Sequence, residues 1–290
     1  MAAAGRAVYD LPLYLNNALR NPIGPATPWK NDFGSGGLTW DVLDIYKAAA
    51  PHIDILAPDI YTAESVQVNA HLDRYQRRDN ALFVAELGNA APYARFLYPI
   101  LGRGALGVTP FGIDYFDYSN FPLGAKTSDK AMVAPFAKIY AAFRPLQRQW
   151  ARWAFEGRTH GTAEGDDSAP QTLQMRGWKA EIRYGEWMFG ERSWFPNVKE
   201  RPPHAGTPVG GVAIAQIGDD EFIVIGQRAR VRIEPVAPRG HGTIVVRAEQ
   251  GQFTPDGRWV MERNWNGDQI DHGLNFTGEP VVVRVRMGQY

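Results

Sequence analysis

The side chains that could do chemistry in this chain are polar residues that close four otherwise apolar runs. The runs are LPLYLNNAL (11–19), IDILAPDIY (53–61), ALFVAELGN (81–89) and ALGVTPFGIDYF (105–116). They close, in that order, with Asn16 and Asn17, Asp59 and Tyr61, Glu86 and Asn89, and Asp114 and Tyr115. Amides, carboxylates and phenols without lysine or histidine suit a neutral polyhydroxylated ligand better than a phosphate or a nucleotide. The first expectation is therefore sugar chemistry.

Glu86 is the sharpest of these signals. It directly follows LFVA at the end of an apolar run, where an unpaired buried carboxylate would be costly. Two interpretations are open: a reacting carboxylate, or a structural one that pairs with Arg95 or Arg103. Tyr61 could donate its hydroxyl to Glu86 and keep it ionised, or could simply pack at the rim of the sheet.

The other polar residues also have a structural interpretation. Asp59 and Asp114 could take part in a reaction, but aspartates at loop starts commonly cap the next turn or helix. Asn16, Asn17 and Asn89 could bind sugar hydroxyls or organise loops. The six histidines show no HExxH or comparable spacing, so we expect neither a catalytic metal nor a cofactor.

The four runs alternate with stretches of helical character, which predicts βα units on a parallel sheet. In such sheets ligands bind at the carboxyl ends of the strands, where the polar residues lie. The first helical stretch, 39–53, is expected to begin with Thr39 as its N-cap and to end at Pro51. The others are 65–79, 92–104 and 128–157, the last of them kinked at Pro135 and Pro145.

The character of the chain changes after Gly157. Later runs such as EFIVIGQ (221–227) and PVVVRVRM (280–287) alternate apolar and polar residues at a period of two. This alternation predicts a β-sandwich or a small barrel. We therefore expect two domains, an α/β domain over 1–158 and a β-rich domain over 159–290.

Composition argues against several classes of function. The 290 residues carry 31 Lys and Arg against 31 Asp and Glu, so bulk electrostatics does not favour nucleic acid. The absence of cysteine removes disulfides, thiolate zinc sites and thiol catalysis. No apolar run approaches the ~20 residues of a membrane span, and the first residues do not resemble a secretory signal. We expect a soluble protein that binds neither nucleic acid nor membrane, and its compartment stays open.

Five motifs carry a more specific signal. They are LPLYLNNALRNP (11–22), KAAAPHIDILAPDIY (47–61), NALFVAELGN (80–89), GALGVTPFGIDYFDY (104–118) and NWNGDQIDHGLNF (264–276). Together they resemble the bacterial branch of glycoside hydrolase family 35, the β-galactosidases. The resemblance extends over both expected domains, including the β-rich domain at the carboxyl end.

The resemblance implies a (β/α)8 barrel and retaining hydrolysis of terminal β-galactosides by two glutamates. Glu86 in FVAELGN matches the nucleophile at the end of the seventh strand, and Tyr61 in APDIY matches the sixth-strand tyrosine that orients it. The eighth strand would carry Phe111 to Tyr115 at the rim. The substrate, a β-galactoside or related oligosaccharide, would contact Asn16, Asn17, Asp59, Asn89, Asp114 and Tyr115.

The chain departs from the family in one respect. The family's acid/base glutamate lies in an Asn-Glu motif on the fourth strand, and Asn-Glu does not occur in this chain. We therefore expect 1–158 to be the C-terminal half of the barrel, strands five to eight, from a split, truncated or mis-started gene. Half a barrel would be unstable or inactive alone and would depend on a complementing N-terminal half or a homo-oligomer.

Two other functions remain open. In one, the chain is a non-catalytic fragment whose β-rich domain and polar rim bind carbohydrate or a partner. In the other, Asp59 or Asp114 replaces the missing acid, although both would lie on strands next to the nucleophile.

Overall fold

A computed structural model describes residues 1–18, 20–24, 37–113, 119, 121–184, 206–237 and 240–290. These residues form two compact units. The first unit comprises Met1–Tyr93 and Ala105–Met132, and the second comprises Ala94–Gly104 and Val133–Tyr290. Within the described part of the chain, no helix is long and apolar enough to cross a membrane.

The first unit is built on a four-stranded parallel sheet. Its strands lie side by side in chain order and are β1 (Tyr14–Ala18), β2 (Ile55–Ile60), β3 (Val84–Leu87) and β4 (Val108–Pro110). Each neighbouring pair of strands runs parallel. The prediction of a parallel α/β part is therefore confirmed, and each of the four predicted runs contains one strand.

Within the described residues, the first unit contains three complete helices, namely α1 (Ala2–Val8), α2 (Leu43–Ala49) and α3 (Ser65–Tyr75). Helix α3 buries Val68, Leu72 and Tyr75, whose spacing of three and four residues forms one apolar stripe. This stripe explains why the segment is a helix in contact with β2. Helix α1 buries none of its residues, and the sequence did not predict it.

Asn80 connects α3 to the sheet. Its Oδ1 accepts a hydrogen bond from the backbone N–H of Leu56 at 2.8 Å. Its Nδ2 donates to the carbonyl oxygens of Leu56 and Tyr75, each at 2.9 Å. This buried amide thus satisfies backbone groups at the end of α3 and on β2. The contact fixes β2, the strand that leads to two of the predicted site residues.

The helices of the second unit are α4 (Leu97–Gly102), the part of α5 (Lys130–Phe143) from Val133 onward, and α6 (Gln147–Phe155). A single 3-10 turn over Arg144–Leu146 separates α5 from α6. Pro145 lies in that turn and interrupts the helix, as the sequence predicted. Pro135 lies inside α5, which continues through it.

The rest of the second unit consists of two antiparallel sheets. The strands are β5 (Thr159–Ala163), β6 (Gln171–Met175), β7 (Trp178–Arg183), β8 (Gly211–Gln216), β9 (Glu221–Gln227), β10 (Ala229–Pro235), β11 (Thr243–Phe253), β12 (Trp259–Asn264), β13 (Leu274–Phe276) and β14 (Val281–Gln289). One sheet has six strands, in the order β12-β11-β14-β9-β8-β5. The other has four, in the order β13-β10-β7-β6. The prediction of a β-rich part is confirmed.

The two sheets bury one hydrophobic cluster between them. The four-stranded sheet contributes alternate residues such as Ile182 and Val231, and the six-stranded sheet contributes Phe222 and Val285. This alternation is the period of two seen in the sequence, because successive side chains of a strand point to opposite faces. The cluster is the core between the two sheets.

Helix α4 belongs to the second unit because it lies directly against β5. A Cβ added to Gly102 would collide with the backbone of Gly161, and a Cβ on Gly161 would collide with the carbonyl oxygen of Tyr98. Only glycine permits two backbones to approach so closely. The compact units therefore divide before residue 158, where the sequence placed the domain boundary, since 94–104 and 133–158 group with the β-rich part.

Candidate functional site

Polar residues at the carboxyl ends of β1, β2 and β3 meet on one face of the parallel sheet. In the register of the strands, Ala18 lies opposite Asp59, and Asp59 lies opposite Glu86. Side chains at opposite positions of neighbouring strands share a face, as do residues two apart on one strand. Asn16, Asp59, Tyr61 and Glu86 therefore fall on the same face.

A continuous network of hydrogen bonds joins these four side chains. The hydroxyl of Tyr61 donates to Oε2 of Glu86 at 2.6 Å. Nδ2 of Asn16 donates to Oε1 of Glu86 at 3.2 Å. The same nitrogen lies 2.9 and 3.1 Å from the two carboxyl oxygens of Asp59. Both oxygens of Glu86 are engaged, so the orientation of its carboxylate is defined.

The two carboxyl groups differ in their exposure to solvent. Glu86 is half-buried, so a ligand can approach it, whereas Asp59 is only 5% exposed. Burial raises the pKa of Asp59 to about 6; the Asn16 hydrogen bond opposes this change and the charge of Glu86 adds to it. Asp59 therefore gains or loses its proton close to neutral pH, beside a second carboxyl group.

This raised pKa predicts a pH-dependent stability. The folded chain holds the Asp59 proton more tightly than the unfolded chain, in which the pKa of Asp59 is 3.8. The contribution of Asp59 is therefore fully present below about pH 3.8 and is lost as the pH rises through about 6. Relative to Asp59→Asn, the unfolding free energy of the wild type is expected to fall by on the order of 2 kcal/mol between about pH 4 and 7.

Urea unfolding at several pH values measures this difference. Glu86→Gln provides the control, because removal of the neighbouring charge is expected to make the fall smaller and to move it to lower pH. A difference between wild type and Asp59→Asn that stays constant with pH would contradict the raised pKa.

Asn17 and Asn89, predicted to bind substrate, lie outside this network. Asn17 directly follows Asn16 on β1, so its side chain points to the opposite face, where a Cβ on Gly37 would collide with it. Asn89 is 1% exposed, and its Oδ1 accepts a hydrogen bond from the backbone N–H of Ala125 at 2.8 Å. Among the described residues, its Nδ2 has no hydrogen-bond partner. A substrate contact by either asparagine stays a prediction.

Asp114 and Tyr115, the predicted site residues of the fourth run, lie outside the described residues. Phe111, which precedes them, is described. Its ring lies 6.4 Å from that of Tyr61 in an edge-to-face arrangement, which supports the tyrosine from the side of β4.

Arg95 was one of two arginines considered as structural partners of Glu86. It is 2% exposed and forms an ion pair with Asp166 at 2.9 Å within the second unit. The hydrogen bonds observed for Glu86 come instead from Tyr61 and Asn16.

The bridging role of Asn16 is the feature that sequence reasoning missed. The sequence placed Asn16 among the residues that could bind a sugar, without distinguishing it from Asn17. The available signal was the period of two, since only one of two adjacent strand residues can share a face with Asp59 and Glu86.

In the described part of the chain, no group of three or more His, Asp or Glu side chains is arranged to hold a metal ion. The polar network of the first unit consists of carboxyl, amide and phenol groups. Such a set can bind hydroxyl groups, orient a carboxylate and transfer a proton.

Comparison with known proteins gives a match over part of the chain. The model of a domain of unknown function, DUF5597, matches residues 136–277. No curated protein matches the chain. The matched residues lie in the second unit and include none of the residues of the polar network.

Proposed function

We propose that the first unit carries the nucleophile of a retaining glycoside hydrolase of the β-galactosidase type and that Glu86 is this nucleophile. The observation that carries the proposal is the half-buried carboxylate of Glu86, with both oxygens hydrogen-bonded, at the carboxyl end of a strand in a parallel sheet. Active sites lie at this end of the strands in parallel α/β barrels. The choice of galactose as the substrate sugar rests on the motifs that resemble glycoside hydrolase family 35.

In this reaction Glu86 attacks the anomeric carbon and displaces the aglycone, which leaves a glycosyl ester on the enzyme. A second carboxylic acid protonates the leaving oxygen, and the resulting carboxylate then activates the water that hydrolyses the ester. Tyr61 donates to Oε2 and so helps to hold the Glu86 carboxylate in a fixed orientation. The chain thus supplies the nucleophile and its orienting hydroxyl.

Asp59 is a poor candidate for the second carboxylic acid. It is 5% exposed, and the Asn16 amide lies within 3.1 Å of both its oxygens, which leaves little room for a glycosidic oxygen. It also lies on the strand next to Glu86, whereas the acid must reach the leaving group from another part of the site. We propose that the acid comes from a different segment.

We further propose that the parallel sheet is the second half of a (β/α)8 barrel, strands five to eight. Strand β1 is an edge strand of the sheet, and Tyr14 and Leu15 on it are 55% and 36% exposed. Strands of parallel sheets are normally buried on both faces. Four more parallel strands would cover this edge, supplied by a complementing N-terminal half or by another copy of the chain.

Covalent labelling tests the nucleophile directly. The reagent is 2,4-dinitrophenyl 2-deoxy-2-fluoro-β-galactoside, because dinitrophenolate leaves without protonation and the test does not need the acid. The full chain, alone and coexpressed with an N-terminal half-barrel, is expected to gain one fluorogalactosyl group on the peptide that contains Glu86. The corresponding glucoside, 2,4-dinitrophenyl 2-deoxy-2-fluoro-β-glucoside, tests whether the site prefers galactose to glucose. Labelling at another residue would refute the assignment.

Removal of the Tyr61 hydroxyl is expected to slow this labelling. A hydrogen bond to a charged group contributes about 1.5–3 kcal/mol, so Tyr61→Phe should lower the labelling rate by about tenfold or more. The rate is followed by release of dinitrophenolate and by intact mass. Tyr46→Phe is a suitable control, since it makes the same change on α2. Equal rates for Tyr61→Phe and the wild type would show that the hydroxyl does not act on the nucleophile.

A second candidate function is carbohydrate binding by the second unit. A cleft of about 1080 Å³ is lined by side chains from β7 and β10 that form ion pairs. Lys179 and Arg232 both pair with Glu234, at 3.5 and 2.8 Å. Paired acids and bases offer donors and acceptors with little net charge, which favours a neutral polyhydroxylated ligand. Calorimetric titration with neutral galactose-containing oligosaccharides would test this, and absence of heat with all of them would refute it.

A further inference from the structure

The amide of Asn16 lies between two carboxyl groups, and this placement restricts how the amide can be turned. Its nitrogen lies 2.9 Å from Oδ1 of Asp59 and 3.2 Å from Oε1 of Glu86. An amide has one donor end and one acceptor end, and ionised carboxylates only accept. Two carboxylates on the same side therefore select the orientation in which NH2 faces both.

We propose that Asn16 is a positioning residue that holds the nucleophile Glu86, and that Asp59 acts through Asn16 by anchoring the amide in the orientation that donates to Oε1. This inference rests on the proposed function of Glu86. One N–H bonds to the Asp59 carboxylate and the other to Glu86, so Asp59 influences the nucleophile through the amide without touching the sugar. Tyr61 holds the other oxygen, and the carboxylate is fixed at both ends.

Near pH 6, the charge of Asp59 changes with pH, whereas its neighbours on α3 stay neutral. Helix α3, which contacts β2, buries Tyr75 and His71. Burial raises the pKa of Tyr75 and lowers the pKa of His71 to about 4, so both are neutral near pH 6. Glu86 on β3 is then the charged group that acts on Asp59 within the described residues. When Asp59 is protonated it can donate to the amide oxygen, and Asp59 then no longer anchors the amide in the orientation that donates to Glu86.

Carboxyl NMR tests the coupling without requiring any activity. The full chain is labelled with 13C at the side-chain carboxyl groups of Asp and Glu, and Asp59→Asn and Glu86→Gln assign the two signals. In Asn16→Ala, the Asp59 carboxyl group is expected to titrate at higher pH than in the wild type, because it loses the hydrogen bond that favours its charged form. Asn17→Ala is the matched control on the opposite face and is expected to leave the Asp59 titration unchanged.

Labelling by the fluorogalactoside tests the effect on the nucleophile. Asn16→Ala is expected to slow the bond-forming step about tenfold or more at saturating reagent, with a smaller change in the concentration for half-saturation. Asn16→Gln should restore part of the rate, because it restores the amide. The wild-type rate should rise with pH through the titration of Asp59 measured by NMR, and Asp59→Asn should remove that rise.

Three results would overturn the inference. A titration of Asp59 that is the same in Asn16→Ala and the wild type would exclude its hydrogen bond to the amide, and with it the bridge. An unchanged labelling rate in Asn16→Ala would exclude the positioning role while leaving the proposed function intact. A wild-type chain that is not labelled at Glu86, alone or with the N-terminal half, would overturn the proposed function itself and the positioning role with it, whatever the titrations show.

Discussion

Glu86→Gln is expected to abolish covalent labelling and to lower hydrolysis of an activated β-galactoside by on the order of 10^4-fold or more, because Glu86 is the proposed nucleophile and essential nucleophiles show losses of this size. Glutamine fills the same space and can keep partners in Tyr61 and Asn16, but its amide cannot form the glycosyl ester. The measurement is release of dinitrophenolate from dinitrophenyl β-galactoside by the chain coexpressed with an N-terminal half-barrel. Glu279→Gln makes the same change at an exposed residue paired with Lys138 and is expected to have no effect.

A smaller substitution separates a nucleophile from an acid/base residue. In Glu86→Gly, added azide can enter the vacated space, attack the anomeric carbon and displace dinitrophenolate. Because azide approaches from the side of the missing nucleophile, the product is α-galactosyl azide. Formation of the β-azide would instead identify Glu86 as the acid/base residue, and retained activity in Glu86→Gln would remove it from the reaction altogether.

Phe276→Ala is expected to lower the unfolding free energy of the second unit by about 3–5 kcal/mol. Phe276 is fully buried on β13, and its ring lies 5.1 Å from that of Trp265. A Cβ on Gly226 would meet the Phe276 ring, so the strand beneath is already in close contact with it. Truncation removes this contact and leaves a cavity that the neighbouring strands cannot readily fill.

Urea unfolding measures this loss, followed by tryptophan fluorescence, to which Trp265 next to the substituted ring contributes, and by far-UV circular dichroism as a global probe. Val246→Ala is the control, because Val246 is 59% exposed on β11 and its truncation should change the free energy by less than about 0.5 kcal/mol. A loss below about 1 kcal/mol for Phe276→Ala would show that the core of the second unit is not packed as described.

Much of the fold was predictable from local patterns. The four apolar runs became β1 to β4, and the runs of period two became the antiparallel strands, because these patterns report which faces of a strand are buried. Helix α2 shows the limit of such patterns. Thr39 was the expected start, yet its carbonyl accepts from the N–H of Val42 in a turn, and the helix begins at Leu43. Helix ends depend on contacts that periodicity does not contain.

The unit boundary could not be predicted in this way. Tyr98 and Phe136 lie in helical segments that the sequence assigned to the α/β part, and both are fully buried in the second unit. Their apolar character shows that they are buried but does not identify their partners. The close approach of α4 to β5 at Gly102 and Gly161 decides this, and those glycines are 59 residues apart in numbering.

The sequence by itself determined which chemical groups the site can use: a carboxylate at Glu86, a phenol at Tyr61 and further polar residues at the ends of parallel strands. Local composition suffices for this, because the strand ends of a parallel sheet lie at one edge. Only the tertiary structure decided that Asn16 and not Asn17 joins the network, and that Asp59 has a pKa of about 6. Both outcomes depend on strand register and burial, which arise when distant segments come together.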